Sequence, residues 1–228
     1  MTSESEAASA AANLGLDEAY AVDGPDANRE LYASWAETYE SVFLAENDYV
    51  YHRHVAAAFR DAQDSLDTLD GPVLDAGCGT GVVGAELARL GVAVIDGIDI
   101  SPEMLAKAAS KTHDGDPTYR HLFEADLTGP ISLADDAYAG IVSAGAFTHG
   151  HLGPENISEL LRAARPGACC SLGINSAHFD EFGFGDWLAQ READGLISGL
   201  GFTLRPIYGG ADPDDPDRWT RIAVFTVT

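Results

Sequence analysis

Residues 73–81 read Val-Leu-Asp-Ala-Gly-Cys-Gly-Thr-Gly: a short apolar run, a carboxylate, then three glycines at alternate positions. Such a segment is expected to form a buried strand that turns tightly into a helix. Glycine tolerates the unusual dihedrals of the turn and lets a ligand approach the backbone without meeting a Cβ. Strand, glycine turn and helix N-terminus together cradle a nucleotide-type cofactor. Asp99 follows Gly79 by twenty positions, at the end of a second apolar run from Gly91, where a carboxylate can accept both hydrogen bonds of a ribose diol.

The choice of cofactor rests on further residues. Gly79-Thr80-Gly81-Val82-Val83-Gly84 fits the dinucleotide pattern G-x-G-x-x-G, with Asp99 as the ribose acid. Asp75 argues against that register, because an anionic side chain just before the turn repels a pyrophosphate and suits a cation. S-adenosylmethionine offers an α-ammonium and a sulfonium at that place. A third acid, Asp126, ends another β-like run and can accept from an adenine amino group. Three carboxylates at three successive strand ends favour the sulfonium cofactor.

The rest of the chain sets this turn in an alternating α/β pattern. Leu31, Trp35, Tyr39, Val42 and Phe43 are spaced as on a helix, and 49–69 carries a second amphipathic pattern, so two helices precede the first strand. Val82–Leu90 reads as a helix ended by Gly91. Ser101-Pro102 supplies an N-cap and first-turn proline for a helix through Lys111. Further strands are expected at 118–124, 138–144 and 168–174. Pro154 starts a helix between the last two, and Arg165-Pro166-Gly167 stops it. Phe179–Leu200 reads as one helix, followed by strands at 202–208 and 221–227. Alternation of this kind predicts a mostly parallel sheet covered on both faces, closed by a C-terminal antiparallel hairpin.

Taken together, Asp75–Gly81, Gly97-Ile-Asp99-Ile-Ser-Pro-Glu-Met104, Glu124-Ala-Asp126-Leu127 and Val142–His149 resemble the class I S-adenosylmethionine-dependent methyltransferases. Within that class, Ser143–Glu155 and Pro206-Ile-Tyr-Gly are most similar to the methyltransferase-like family named for the Williams–Beuren syndrome region. The resemblance implies a single Rossmann-like domain with a seven-stranded sheet over residues 25–228, after a flexible acidic tail at 1–24. It also implies an S-adenosylmethionine site. Asp75, Gly77, Gly79 and Gly81 are expected at the methionine part, Asp99 at the ribose, and Asp126 with Ile100, Met104 and Leu127 around the adenine. Ser143 and Tyr39 complete the expected cofactor contacts, Tyr39 from a first helix whose Tyr32, Trp35 and Tyr39 resemble the family helix that folds over the cofactor, with Trp35 itself expected in the core.

Methyl transfer from a sulfonium is an in-line displacement that needs alignment and exclusion of water more than covalent help. The loop Gly145–Gly153 follows the fourth strand at the carboxyl end of the sheet, where open α/β folds bind ligands. His149 and His151 are the candidate general bases, since imidazole titrates near neutrality, and Phe147 is expected in the acceptor pocket. A histidine pair one residue apart, with no third ligand nearby, is not expected to hold a metal. The expected acceptor is a small molecule with an O, N or S nucleophile. Two other readings stay open at this point: a non-catalytic binder or sensor of the same cofactor, and a nicotinamide-dependent oxidoreductase.

Composition narrows the partners. The chain of 228 residues fits one domain. It carries 37 acidic against 13 basic residues, a net charge of −24, and Lys107 and Lys111 are its only lysines. Such a surface repels nucleic-acid backbones. It suits a high-salt cytoplasm, where screening shortens the reach of self-repulsion, or an ordinary acidic enzyme. No apolar run reaches membrane-span length and the first residues lack signal-peptide character, so a cytoplasmic protein without membrane partners is expected. Cys78, Cys169 and Cys170 have neither disulfide nor metal spacing and are expected to be reduced and mostly buried.

Overall fold

The computed structural model describes residues 24–36, 39–40, 47–66 and 70–228. The expected tail, apart from Gly24, lies outside the described residues, as do Val42 and Phe43 of the first helical pattern. Helices α1 (Pro25–Trp35) and α2 (Tyr51–Leu66) precede β1 (Val73–Ala76). The chain then alternates through α3 (Val82–Arg89), β2 (Ile95–Asp99), α4 (Pro102–Ala109), the small hairpin β3 (Thr112–His113) and β4 (Asp116–Pro117), β5 (His121–Glu124) and β6 (Tyr138–Phe147). A 3₁₀ turn, α5 (Ile157–Ala163), β7 (Ala164–Asn175), α6 (Ser176–Glu181), α7 (Phe184–Ala193), β8 (Ile197–Pro206) and β9 (Trp219–Val227) follow.

Seven strands form one sheet in the order β5-β2-β1-β6-β7-β9-β8. β1 pairs in parallel with β2 and β6, β2 with β5, and β6 with β7. β9 then runs antiparallel to both β7 and β8. The expected mixed sheet with an antiparallel finish is therefore present.

Side-chain alternation along the strands splits the core into two layers. Leu74, Ile141, Leu172 and Phe225 pack with Leu160, Phe184 and Leu188 on one face. Val73, Ile95, Val142 and Ile222 pack with Val55, Phe59, Leu87 and Leu105 on the other. α2 sits close to the sheet because Gly140 and Gly173 leave slots that the rings of Phe59 and Tyr51 occupy.

Local signals account for most helix ends. Ser101 Oγ accepts from Met104 N at 3.2 Å, as an N-cap should. The three cysteines are free and buried. The alternation expected of strands and helices fails between β5 and β6, where residues 125–137 hold no helix. Two further segments differ from expectation. The single helix expected over 179–200 is two short helices and the start of β8. The break falls at Gly183, whose φ of +67° is a left-handed conformation that ends a helix. β7 begins at Ala164 and carries Pro166-Gly167 within it, with a register irregularity against β6 between the Tyr138 and Gly140 pairs. Among the described residues, no helix is long and apolar enough to cross a membrane.

Candidate cofactor and methyl-acceptor site

The carboxyl ends of β1, β2, β5 and β6 open on a cavity of about 150 Å³ that is continuous with solvent. Its floor is the glycine turn. Gly77, Cys78, Gly79 and Thr80 line it, followed by Val82 and Val83 from the first turn of α3. Gly79 has φ +52° and nothing within 4 Å of where a Cβ would stand, so the turn presents bare backbone to the cavity. Thr80 is 1% exposed and its Oγ1 has no hydrogen-bond partner among the described residues. A buried hydroxyl in that state is costly until a ligand pairs with it.

Asp99 lies at the tip of β2 and lines the cavity. Its Oδ2 accepts from Gly79 N at 2.8 Å and its Oδ1 from Ser101 N at 2.9 Å. These bonds fix the carboxylate against the glycine turn and leave further lone pairs on each oxygen for a diol. Burial raises Asp99 above the ordinary carboxylate range, opposed by the backbone donors at Ser101, Gly79 and Ile100. Asp126 follows β5, with Oδ1 accepting from Thr128 N at 2.8 Å. Ile100, Met104 and Leu127 complete the wall between the two acids.

The opposite end of the cavity is built differently. Ala144, Gly145 and Ala146 of β6 make a wall without bulk, and Gly150, His151 and Leu152 close the loop beyond it. Tyr39 and Tyr49 line the same cavity from the segments flanking residues 41–46. Glu40 accepts from Lys111 Nζ at 2.6 Å with both oxygens, tying Tyr39's segment to the residues just after α4. Tyr49 stacks on His52 with ring centroids 5.6 Å apart.

The structure gathers nine of the expected site residues around the cavity: Tyr39, Gly77, Gly79, Asp99, Ile100, Met104, Asp126, Leu127 and His151. Asp75, Gly81, Ser143 and His149 do not line it. Asp75 is fully buried under the turn, where its Oδ2 accepts from the Tyr119 hydroxyl at 2.7 Å. Gly81 is the N-cap of α3. Ser143 Oγ donates to the Ala76 carbonyl at 2.8 Å, a bond between β6 and β1. His149 turns toward the C-terminal segment, with Nε2 2.8 Å from Asp217 Oδ1. Phe147, expected at the acceptor, is fully buried against Phe184 instead. The side chain of Tyr32 lies outside what is described, and Trp35 is half-buried on α1.

His151 also differs in chemistry from the base that its type suggests. Burial, reinforced by His178 and His149, pushes it down to about 4, so the ring is uncharged at neutral pH. It can accept a hydrogen bond from a nucleophile, but it is a weak proton acceptor. Tyr49 and Tyr119 are the residues that pattern reading passed over. Their contacts with the site span dozens of positions, and no local motif marks them.

Residues 73–167 match a family model described as a methyltransferase domain. Among solved structures, the fold is similar to magnesium protoporphyrin IX methyltransferase from Synechocystis with bound SAH. There the TM-score is 0.60 at 20% identity, covering 90% of this chain and 99% of that one. A chain of the Haloferax volcanii complex containing the Trm112 methyltransferase activator gives 0.57 at 16% identity, covering 86% and 97%. The TehB-like SAM-dependent methyltransferase from Corynebacterium glutamicum gives 0.53 at 22% identity, covering 86% and 98%. Among curated proteins, none matches.

Proposed function

We propose that this chain is an S-adenosylmethionine-dependent methyltransferase acting on a small molecule with an O, N or S nucleophile. One observation carries the reading: within a segment that matches a methyltransferase domain, the bare Gly77–Thr80 turn and the strand-tip acids Asp99 and Asp126 line one cavity. The cofactor is S-adenosylmethionine. Thr80 and the turn backbone hold its methionine part, Asp99 its ribose, and Asp126 with Ile100, Met104 and Leu127 its adenine. The nicotinamide alternative loses support because the third glycine of that pattern, Gly84, opens on the Tyr119 ring. The antiparallel β7-β9-β8 finish is likewise foreign to a dinucleotide fold.

When bound, the cofactor supplies an electrophilic methyl carbon on sulfur. The chain's own part is to position and to exclude water. Ala144, Gly145 and Ala146 allow an acceptor to come close, and Tyr39 and Tyr49 cover it. The uncharged His151 ring accepts the nucleophile's O–H, N–H or S–H and so aims its lone pair. The motif likeness of Ser143–Glu155 further supports a place near the Williams–Beuren methyltransferase-like proteins. We also read the acidic surface as an adaptation to high salt, so the melting temperature should rise from low to molar KCl; a flat or falling curve removes that reading.

The test is incubation of purified protein with methyl-labelled S-adenosylmethionine and fractionated cell extract, at low and at molar KCl. Transfer of label to a small molecule, with S-adenosylhomocysteine formed, is the expected result. Tight binding without turnover in any fraction would make the chain a binder or sensor. Failure to bind the cofactor at either salt removes the assignment.

A further inference from the structure

Two carboxylates are buried on the adjacent strands β1 and β2, on opposite faces of the sheet, and they are treated in opposite ways. Asp96 on β2 is 1% exposed and fully provided for. It accepts from Arg120 Nε and Nη2 at 3.0 and 2.7 Å, from His121 N at 3.1 Å and from the Tyr138 hydroxyl at 3.1 Å. Asp75 on β1 has no cation beside it among the described residues. Its Oδ2 accepts from Tyr119, and its Oδ1, buried as well, has no hydrogen-bond partner among the described residues. The proposed reaction, as described so far, gives Asp75 nothing to do.

Tyr119 is seated with unusual care. A Cβ at Gly84 would collide with its hydroxyl, and Cβ atoms at Gly81 and Gly97 would come within 2.9 and 3.0 Å of its ring. The hydroxyl also accepts from Gly84 N at 3.2 Å. Gly84 is the third residue of α3, one of the early helical N–H groups that need an outside partner, and Gly81 as N-cap has no side chain to offer. Tyr119 therefore caps α3 from a distant part of the chain. It links the helix N-terminus, through its own O–H, to the carboxylate beneath the cofactor turn.

We propose that Tyr119 and Asp75 form a positioning pair that sets the charge under the glycine turn, so that binding of the cationic cofactor is coupled to release of a proton from Asp75. The inference rests on the methyltransferase reading given above. Burial pushes Asp75 up to about 7; the Tyr119 bond opposes that rise, Asp99 adds to it, and the Gly84 N–H opposes it. The titratable groups facing Asp75 are Tyr119, Asp99 and Cys78, and both the phenol and the thiol are held far above their usual values, so neither ionises in competition.

The sign follows directly. Below pH 7 Asp75 carries its proton and the floor of the site is neutral. Above pH 7 it is anionic and attracts a ligand with positive sulfur and ammonium groups. Affinity for S-adenosylmethionine should thus rise with pH up to about 7 and then level. The folded apoprotein behaves in reverse: a carboxyl raised from its unfolded value near 3.9 lends stability below that value, and loses it as pH rises through about 4 to 7.

The experiment is calorimetric titration of the full-length protein with S-adenosylmethionine from pH 5.5 to 7.5, in buffers of differing ionisation enthalpy, with the melting temperature read alongside. The upper limit keeps the ligand's α-amino group, which titrates at about 7.7–8.0, charged. His151 titrates below the window. The wild type should gain roughly tenfold in affinity over the acidic part of this range and release a proton at the lower end. Asp75→Asn should bind more weakly at pH 7.5, show no pH dependence, and melt higher than wild type at pH 8. A purely structural role would lower both binding and melting. Tyr119→Phe should move the midpoint upward, since the bond that favours the anion is gone. Wild-type affinity that is flat with pH, or pH dependence retained in Asp75→Asn, overturns the coupling while leaving the cofactor assignment intact. No binding at any pH overturns the assignment and the coupling together.

Discussion

The two ends of the cavity are made of different materials. The end proposed for the adenosine is backbone plus two carboxylates, Asp99 and Asp126, each fixed by N–H groups within its own turn or the neighbouring one. The end proposed for the acceptor is a wall of small residues faced by side chains from separate segments: Tyr39, Tyr49 and His151. The first is set by the strand tips and so follows from the sheet itself. The second depends on loops that can change without disturbing the sheet, which is where the proposed function places substrate choice.

Substitutions should separate the two ends. Asp99→Ala removes the carboxylate that fixes Gly79 and that is proposed to hold the ribose. Loss of charge-assisted bonds predicts about 1.5–3 kcal/mol, or roughly 10- to 150-fold in cofactor Kd, measured by equilibrium binding. Unchanged affinity would break the division at its stronger end. His151→Ala should leave cofactor Kd in place and lower kcat by about tenfold, well short of the effect of a matched general base. His149→Ala should stay within about threefold of wild type, because that ring faces Asp217. Equal losses from the two histidines would show that both ends of the loop serve the acceptor. Lys111→Ala releases Glu40, and with it Tyr39; as a half-exposed ion pair this should cost no more than about fivefold in KM for the acceptor, read in steady-state kinetics at low salt.

The same contrast explains what pattern reading could reach. The glycine turn, Asp99, the Ser101 cap and Asp126 are local features, in which a few adjacent residues dictate one geometry, and the structure has each where the spacing puts it. Asp75 was legible as a strand-end acid but was expected to touch the cofactor; the structure buries it on Tyr119 instead, through a bond that joins residues 44 positions apart. The 179–200 segment misleads for a related reason. Its apolar spacing suits one helix, but Gly183 breaks it and the edge strand takes Ile197 onward. Likewise Phe147 sits at the right level of β6 for an acceptor contact, and only the packing of Phe184 against it decides which way it faces.

The place of β9 in the sheet has a consequence for how the chain is made. Trp219–Val227 lies between β7 and β8, so the strand that the ribosome delivers after all the others is an interior one. β5, β2, β1, β6 and β7 can assemble in parallel as they emerge, with the cofactor floor already formed. β8 pairs with β9 alone, so that edge of the sheet cannot close until residues 219–227 are in place, whereas the pairing of β1 with β2 and β6 that frames the glycine turn does not need them.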